Sequence, residues 1–393
     1  MSSTRFLNPA IAAVPPSGIR RFFDLASTMK DAISLGVGEP DFRTPYHIRN
    51  AGINSLIDGE TQYTANRGMP ELREEIARYL SDRFSLSYDP ATDIIVTIGA
   101  SEAIDIALRA VCAPGDEVLV PEPSYVSYAP GVVFAGGMPV PVVTKEEDTF
   151  RLRADALEAA LSPRAKALIL PYPNNPTGGV MEREDLEAIA EVIRKHDLLV
   201  ISDEVYAELV YDGRKHVSFA SLPGMAERTL TINGFSKAFA MTGWRIGYVC
   251  GDAELISVMN KIHQYTIMCA PRQSQVAAIE ALRGGRENGY EDIEMMRESY
   301  DRRRRLMVAS FRDMGLHCFE PFGAFYVFPS IRSTGLTSDE FCTRLLREKK
   351  VAAVPGTAFG PSGEGNIRCS YATAISNLNI ALDRIAELVR ALN

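Results

Sequence analysis

Short apolar runs alternate with amphipathic segments between residues 94 and 203, and this alternation limits the folds open to the 393-residue chain more than any other feature. The runs have the length of buried strands, and the segments between them carry apolar residues at helical spacing. Strands joined by crossover helices form a mostly parallel sheet covered on both faces. Such a sheet binds ligands at the carboxyl ends of its strands.

The predicted strands of this region are Ile94–Ile98, Val118–Val120, Val140–Val143, Ala167–Leu170 and Leu198–Ser202. Three helices are predicted here. The first opens at Gly99–Ser101 and ends at Cys112, and the other two are Arg153–Leu161 and Arg183–Lys195. A mostly helical segment, Ser124–Ala135, is expected to have a boundary at Pro130.

The chain on either side of this region continues the α/β pattern and then changes character. Two further strands, Thr229–Ile232 and Tyr248–Cys250, flank a Gly-rich segment. Before the alternating region we expect a short strand within Ile33–Asp41 and a helix that Pro70 starts and that ends at Phe84. After it we expect the helices Ala253–Met268, Arg272–Arg283, Glu287–Met314, Ser338–Glu348 and Ala374–Leu392, and the strands Gly323–Phe328, Val351–Val354 and Asn366–Tyr371. The last part therefore reads as a separate α+β lobe.

The composition is that of a globular protein, with 46% hydrophobic and 23% charged residues. A net charge of −8 argues against nucleic-acid binding, and the basic run Arg302–Arg305 is interpreted as the solvated face of a helix. The six Cys are scattered and the five His are dispersed, so neither disulfides nor a metal site are expected. With no signal peptide and no membrane span in the pattern, we expect a cytoplasmic protein.

The Gly-rich segment 233–247 carries a single lysine, Lys237, among apolar neighbours that include Phe235 and Phe239. Removing an ammonium from water disfavours its charged form and lowers its pKa, which makes the amine nucleophilic near neutral pH. Such a lysine can form a Schiff base with a carbonyl compound. A buried structural loop is the alternative interpretation.

Two stretches offer donors for an anion. Ser236 and Arg245 lie on either side of Lys237, one a neutral donor and the other a charged fork. The backbone N–H groups that open the helix at Ala100 and Ser101 form a ready site for a phosphate. An ordinary N-cap at Ser101 is the alternative.

Polar and aromatic residues that follow the predicted strands can contact a ring. Asp203 ends a strongly apolar strand, and a buried carboxylate there needs a partner, either a protonated ring nitrogen or a nearby Arg. Tyr206 and Asn175 can donate to a ring oxygen, and Tyr125 can stack on a ring. A plain turn at Asn175 and a core position for Tyr125 are the alternatives.

Arg368 lies among apolar residues in the last predicted strand, where it requires a carboxylate from a ligand or from the protein itself. Together these groups supply an anion site, a stacking ring, a carboxylate for a ring nitrogen, donors for a ring oxygen, an amine and a carboxylate clamp. This set matches pyridoxal 5′-phosphate with an amino acid.

Four motifs occur in order along the chain: Asn-Pro-Thr-Gly at 175–178, Asp-Glu-Val-Tyr at 203–206, Ser-Lys at 236–237 and Gly-Trp-Arg-Ile-Gly at 243–247. With these motifs the chain, from Gly38 to Arg368, resembles the fold-type I, class I/II pyridoxal-phosphate enzymes, specifically the aspartate-aminotransferase-like family. The pattern is most similar to the bacterial branch that contains aspartate, aromatic and N-acetyl-diaminopimelate aminotransferases.

The resemblance implies a large cofactor-binding domain around a mostly parallel seven-stranded sheet and a smaller α+β domain built from both termini. The expected division is residues 1–45, an arm and part of the small domain, then 46–286, the large domain, and 287–393, the rest of the small domain. The family also implies a homodimer with shared active sites, in which Tyr63 reaches the phosphate in the neighbouring subunit. No metal, nucleic acid or membrane partner is implied.

The resemblance also assigns roles to individual residues. Lys237 is the implied Schiff-base lysine, and Asp203 and Tyr206 complete the catalytic set. Arg368, Asn175 and Gly38 are implied to meet the substrate. The implied cofactor-binding residues are Ala100, Ser101, Tyr125, Asn175, Asp203, Tyr206, Ser236, Lys237, Arg245 and Tyr63.

The activity that follows is transfer of an amino group from an L-amino acid to a 2-oxo acid, with 2-oxoglutarate as the expected acceptor and ping-pong kinetics. A β-lyase or decarboxylase on the same fold is the alternative. A nicotinamide oxidoreductase is disfavoured, because no Gly-x-Gly-x-x-Gly follows the first strand. Arg20, Arg21 and Arg272 are candidates to meet an acidic side chain, whereas the apolar Phe22–Phe23 and Ile267–Met268 leave aromatic substrates open.

Overall fold

The structure is a computed structural model that describes residues 3–19, 29 and 31–392. Its strands are β1 Ile33–Ser34, β2 Ile94–Thr97, β3 Glu117–Glu122, β4 Met138–Val143, β5 Ala165–Leu170, β6 Leu199–Asp203, β7 Thr229–Gly234, β8 Gly247–Cys250, β9 Tyr326–Val327, β10 Val351–Ala352, β11 Val354–Pro355 and β12 Ile367–Ser370. Its α-helices are α1 Pro9–Ala12, α2 Tyr46–Ile57, α3 Pro70–Phe84, α4 Gly99–Val111, α5 Tyr128–Phe134, α6 Ala154–Ala159, α7 Arg183–Lys195, α8 Ala253–Thr266, α9 Arg272–Glu287, α10 Glu291–Asp313, α11 Ser338–Lys349 and α12 Ile375–Leu392.

The central sheet has seven strands in the order β2-β8-β7-β6-β5-β3-β4. Strand β8 runs antiparallel to both of its neighbours, and the other pairs are parallel. Strand β2 therefore points the same way as β7, and the carboxyl ends of β2, β3, β5, β6 and β7 share one edge with the start of β8. The predicted mostly parallel sheet is confirmed.

Both faces of this sheet are buried, which explains the continuous apolar runs. Side chains alternate along a strand, so Ile169 and Ile201 pack on one face beneath α4 and α8. Their neighbours Leu168 and Val200 pack on the other face beneath α7. A sheet covered on both sides leaves its edges as the places where polar side chains can collect.

Segments from both halves of the chain form the smaller α+β part. Strand β1, near the N-terminus, pairs in parallel with β10, and β11, β12 and β9 form an antiparallel sheet. Leu35 shares a core with Phe341 and Ile385, but Tyr206 and Leu209 also belong to that core. The exact division at residues 45/46 and 286/287 stays a prediction.

Several boundaries differ from the expected ones for local reasons. Helix α9 continues to Glu287, through Gly284 and Gly285, so these glycines do not end the helix. Gly285 instead leaves room for the ring of Tyr290, with which a side chain there would collide. The next helix therefore begins at Glu291 rather than Glu287, after Tyr290 has turned the chain with a φ of 59°.

A proline and two strands were also placed wrongly. Pro130 lies in the first turn of α5, where backbone N–H groups have no acceptor within the helix. Its missing N–H therefore costs no hydrogen bond, and Pro130 does not mark a boundary. The segment 323–328 is a strand only at Tyr326–Val327. The run Val351–Val354 is split between two sheets, because β10 pairs with β1 and β11 pairs with β12. Helix α2 was not predicted, since its apolar residues do not keep to one face.

The run Arg302–Arg305 was interpreted as a solvated face, and that is wrong for two of its members. Arg304 is only 1% exposed and pairs with Asp301, Asp212 and Glu320. Arg303 is also buried and pairs with Asp41 at 2.8 Å. A buried guanidinium requires such partners, so the cluster is a structural network.

The six Cys are unpaired, two of them half-buried and the rest buried. In the described ranges, no helix has the length and apolar character needed to cross a membrane.

Candidate active site

A cleft of about 1850 Å³ lies at the edge where the carboxyl ends of the central strands meet. The residues that line it come from segments far apart in the sequence. Of the sequence-predicted site residues, those that line the cleft are Gly38, Ala100, Ser101, Tyr125, Asn175, Asp203, Tyr206, Ser236, Lys237, Arg245 and Arg368. The sheet topology thus brings all but one of them together.

Lys237 follows β7 and points its amine into the cleft. Its Nζ donates a hydrogen bond to the carbonyl of Gly38 at 2.7 Å. Burial lowers the pKa of this amine to about 8, against the opposing charge of Glu39. The direction of this pKa shift agrees with the prediction, but the aromatic neighbours of the amine differ from the predicted ones. Nζ lies 5.9 Å from the ring centre of Tyr206 and 5.7 Å from that of Phe325, and both residues come from other parts of the chain.

Asp203, the last residue of β6, holds a buried carboxylate in the cleft wall. Tyr128 donates a hydrogen bond to its Oδ2 at 2.7 Å, and the backbone N–H of Val205 donates to Oδ1 at 3.3 Å. Burial raises the pKa of Asp203 to about 6, although the Tyr128 bond opposes the shift. Within the described residues, no Arg or Lys forms a salt bridge with it, so the expected alternative of an Arg partner is not seen there.

The start of α4 approaches Arg245 and β8 very closely. A Cβ on Gly99, whose φ is +73°, would lie 2.7 Å from Nη2 of Arg245. A Cβ on Gly247 would lie 2.7 Å from the backbone nitrogen of Ala100. Arg245 itself has a φ of 52° and donates from Nη1 to the carbonyl of Thr242 at 2.9 Å. The helix N-terminus and a guanidinium therefore converge on one place, where an anion is favoured.

Arg368 is buried between two rings, with its Cζ 4.5 Å from the ring centre of Tyr326 and 4.9 Å from that of Phe359. Nη1 donates to Oδ1 of Asn175 at 2.9 Å, and Nη2 donates to the carbonyl of Gly36 at 2.6 Å. Its Nε is buried without a hydrogen-bond partner. No described carboxylate pairs with Arg368, so the alternative of an internal ion pair is not seen.

Two tyrosines meet beside Arg368. The hydroxyls of Tyr206 and Tyr326 are 2.8 Å apart, and their rings meet edge to face. Tyr125 contacts the ring of Tyr128 edge to face, with centroids 5.6 Å apart. One wall of the cleft is therefore largely aromatic.

A family match covers most of the chain. Residues 30–385 match the family Aminotransferase class I and II. The chain belongs to the class I and II aminotransferases. Enzymes of this family depend on pyridoxal 5′-phosphate, so the cofactor of this aminotransferase is pyridoxal 5′-phosphate.

Individual relatives are similar in sequence over nearly the full chain. The Bacillus subtilis (strain 168) protein YugH is 54% identical, over 98% of this aminotransferase and 99% of YugH. An aspartate aminotransferase of Pyrococcus abyssi (strain GE5 / Orsay) is 50% identical over 96% of both chains. The solved structure of the aromatic aminotransferase of Pyrococcus horikoshii OT3 is 48% identical, with a TM-score of 0.90 over 95% of this chain and 100% of that one.

Tyr63, an implied cofactor-binding residue of this aminotransferase, does not line the cleft and is 79% exposed. Arg272 pairs with Glu60 at 3.2 Å near the same surface. Arg20, Arg21 and Phe22–Phe23 lie outside the described residues.

Sequence reasoning missed Tyr128, Tyr326, Phe359 and Gly36. Tyr128 had a detectable signal, because it lies one helical turn after Tyr125 and so can share its face. The other three lie in the α+β part and reach the cleft only through tertiary packing, which no local pattern indicates.

Proposed function

We propose that this aminotransferase moves the amino group of an L-amino acid to a 2-oxo acid, with 2-oxoglutarate as the acceptor, in two half-reactions of a ping-pong mechanism. The observation that carries the proposal is the half-buried amine of Lys237, which lies in the cleft, donates to the carbonyl of Gly38 and has its pKa lowered by desolvation to about 8. At that value both protonation states are populated near neutral pH, as a group that takes and returns a proton requires.

The donors in the cleft fit pyridoxal phosphate. The start of α4 at Ala100 and Ser101, with Ser236 and Arg245, would hold the phosphate. Asp203, a buried carboxylate with a raised pKa, would hold a protonated ring nitrogen. Held by these residues, the cofactor would supply an acceptor for the amino group and a ring that stabilises negative charge at the substrate α-carbon.

The remaining roles follow from the contacts of each side chain. Lys237 would hold the cofactor through its amine and would take the proton from the substrate α-carbon. Arg368, with an unpaired Nε and no protein carboxylate, would bind the substrate α-carboxylate. Asn175 accepts from Arg368 with Oδ1, which leaves its amide hydrogens for a ligand oxygen. Tyr206 would donate to the ring oxygen.

The substrate side chain is proposed to be that of aspartate, of an aromatic amino acid or of an N-acetyl-diaminopimelate-like compound. Relatives named as aspartate and aromatic aminotransferases support the first two. Ile19, Val126 and Ala358 line the cleft and pack with Phe359, which lies beside Arg368, and these apolar side chains also suit an aromatic substrate.

The homodimer is part of the same proposal. An exposed apolar surface covers one side of α2 and continues to the end of α8. The side chain of Asn66, in the loop of Tyr63, donates to the carbonyl of Met268 at 2.8 Å, which joins the two parts. The exposed apolar residues of this surface are Tyr46, Ile53, Leu56, Ile57, Tyr63, Tyr265, Ile267 and Met268. We propose that a second copy of the chain covers these residues and that Tyr63 then reaches the cleft of that second copy.

The test is a panel of amino donors, assayed against 2-oxoglutarate with the cofactor-loaded protein. We expect glutamate formation and parallel double-reciprocal lines, which are the signature of two half-reactions. Lys237→Ala should lower kcat by about 10³-fold or more, because it removes the proton-transfer group and the link to the cofactor. Release of ammonia and pyruvate without any oxo acid would instead support the β-lyase alternative and contradict the proposal.

A further inference from the structure

Tyr326 contacts two residues to which the proposed function gives a role. Its hydroxyl lies 2.8 Å from that of Tyr206, and its ring lies 4.5 Å from Cζ of Arg368. The side chain is fully buried. One residue therefore joins the group that would donate to the cofactor and the group that would bind the substrate carboxylate.

The contact with Arg368 is set by strand register. In the antiparallel pair of β9 and β12, Tyr326 lies opposite Ser370. Side chains two residues apart share a face of a sheet, so Arg368 is the diagonal neighbour of Tyr326 on that face. A contact between two paired strands is more rigid than one made from a loop, which suits a supporting role.

The hydroxyl of Tyr326 is confined on its third side by Gly38. A Cβ on Gly38 would lie 2.6 Å from this hydroxyl oxygen, so the space depends on the missing side chain. The carbonyl of Gly38 accepts the hydrogen bond of Lys237. Tyr326 thus lies against Gly38, Tyr206 and Arg368, three residues to which the proposed function gives a role.

The two phenols share one hydrogen bond, and its direction decides what Tyr206 can do. Each phenol has one proton. The guanidinium of Arg368 lies over the ring of Tyr326 and stabilises negative charge on that phenol, whereas burial raises the pKa of Tyr206 well above its ordinary value. Tyr326 is therefore the better donor of the two. If Tyr326 donates to Tyr206, the proton of Tyr206 is left to point into the cleft.

We propose that Tyr326 is a positioning residue that acts through both neighbours: its hydroxyl donates to Tyr206 and directs the Tyr206 proton at the cofactor, and its ring holds the guanidinium of Arg368 against Phe359. This inference rests on the proposed function of Tyr206 and Arg368. The hydroxyl and the ring therefore have separate effects, which two substitutions distinguish.

Tyr326→Phe removes only the hydroxyl. Tyr206 then donates more weakly to the ring oxygen of the cofactor and stabilises the deprotonated form of the cofactor less. The pKa of the bound cofactor should therefore rise. We expect the absorbance titration of the resting, cofactor-loaded enzyme to shift upward by about 0.5 pH unit or more, while KM changes by less than about twofold. Tyr300→Phe is the matched control, since the Tyr300 hydroxyl is buried in the same core without a partner.

Tyr326→Leu removes the ring as well. Arg368 then loses one of its two aromatic neighbours, and we expect the inhibition constants of succinate and 3-phenylpropionate and the KM of the best donor to rise about 5- to 30-fold. Phe359→Leu removes the other ring and should raise the same constants without moving the titration, because Phe359 has no hydroxyl near Tyr206.

The outcomes separate this inference from the proposed function. A wild-type enzyme that does not transaminate counts against the proposed function. If the wild type is active but the titration of Tyr326→Phe coincides with that of Tyr300→Phe, the role through Tyr206 is wrong. If Tyr326→Leu binds carboxylates as the wild type does, the role through Arg368 is wrong.

Discussion

Burial acts on Lys237 and Asp203 in opposite directions, and the site depends on both effects. Loss of hydration disfavours a charge of either sign, so it lowers the pKa of the amine to about 8 and raises that of the carboxyl to about 6. Without a ligand, the charged carboxylate of Asp203 is destabilised in the folded protein. A protonated ring nitrogen beside it would remove that cost.

Asp203→Asn should therefore stabilise the cofactor-free protein. The carboxyl has a pKa of about 6 when folded and 3.8 as the ordinary value, so the wild type loses stability as the pH rises between these values. At about 1.4 kcal/mol per pH unit, we expect the variant to be more stable by about 3 kcal/mol at pH 7. Tyr128 can still donate to the amide oxygen of Asn.

Thermal or urea unfolding of both cofactor-free proteins across pH 4–8 checks this, and the difference should close as the pH falls through 6 towards 4. Added pyridoxal phosphate should stabilise the wild type more than the variant. An equal free energy of unfolding at pH 7 would show that Asp203 carries no such cost.

At the scale of elements, the site is made by the places where chain segments approach most closely. The start of α4 and the start of β8 touch at Gly99 and Gly247, and no side chain fits between them. Because β8 is antiparallel, its first residue lies beside the carboxyl end of β7, which leads to Lys237. The same glycine contact therefore positions both the helix N-terminus and Arg245.

Gly247→Ala should disturb this contact. Its methyl group would lie 2.7 Å from the nitrogen of Ala100 and 2.8 Å from the carbonyl carbon of Gly99, and backbone cannot move aside as a flexible side chain can. We expect a loss of about 1–3 kcal/mol in the free energy of unfolding and weaker binding of pyridoxal phosphate.

Gly243→Ala is the matched control for stability, because a Cβ at Gly243 meets nothing within 4 Å. Urea unfolding and titration with the cofactor measure both quantities. Equal stability of the two variants would mean that α4 is not held by this contact.

At the scale of the whole molecule, Tyr63 distinguishes a shared active site from a self-contained one. It lies outside the cleft of its own chain, on the apolar surface proposed as the dimer interface. If Tyr63 serves the neighbouring cleft, the two clefts of a dimer each need residues from both chains.

Mixed dimers test this arrangement. Tyr63→Ala and Lys237→Ala homodimers should both be impaired, the first through cofactor affinity and the second through chemistry. A dimer with one chain of each kind would contain one cleft with both side chains intact, and we expect about half of the wild-type activity per dimer together with wild-type cofactor affinity in that cleft. If Tyr63 served its own chain, no cleft would be intact and the mixed dimer would remain impaired.

The strand and helix assignments show where local pattern is sufficient. Helix α7 was predicted at its observed bounds because its apolar face repeats at helical spacing between clear end signals. Helix α2 has apolar residues on its buried side, at Ile48, and on its exposed side, at Ile53 and Ile57, so no single apolar face indicates a helix there. Local pattern therefore indicates a helix only when its apolar residues keep to one face.

The sequence by itself determined the alternating α/β core, the motifs and the residue types of the site, because burial on both faces of a parallel sheet and the chemistry of Lys237, Asp203 and Arg368 are properties of short stretches. Only the tertiary structure decided which side chains meet. The hydroxyl of Tyr128 reaches Asp203 across 75 positions of the sequence, and Arg368 reaches the carbonyl of Gly36 across 332 positions. The ring of Tyr326 contacts Arg368 because their strands are paired in one register. Such contacts are set by packing between elements, and packing leaves no trace in the spacing of residues along the chain.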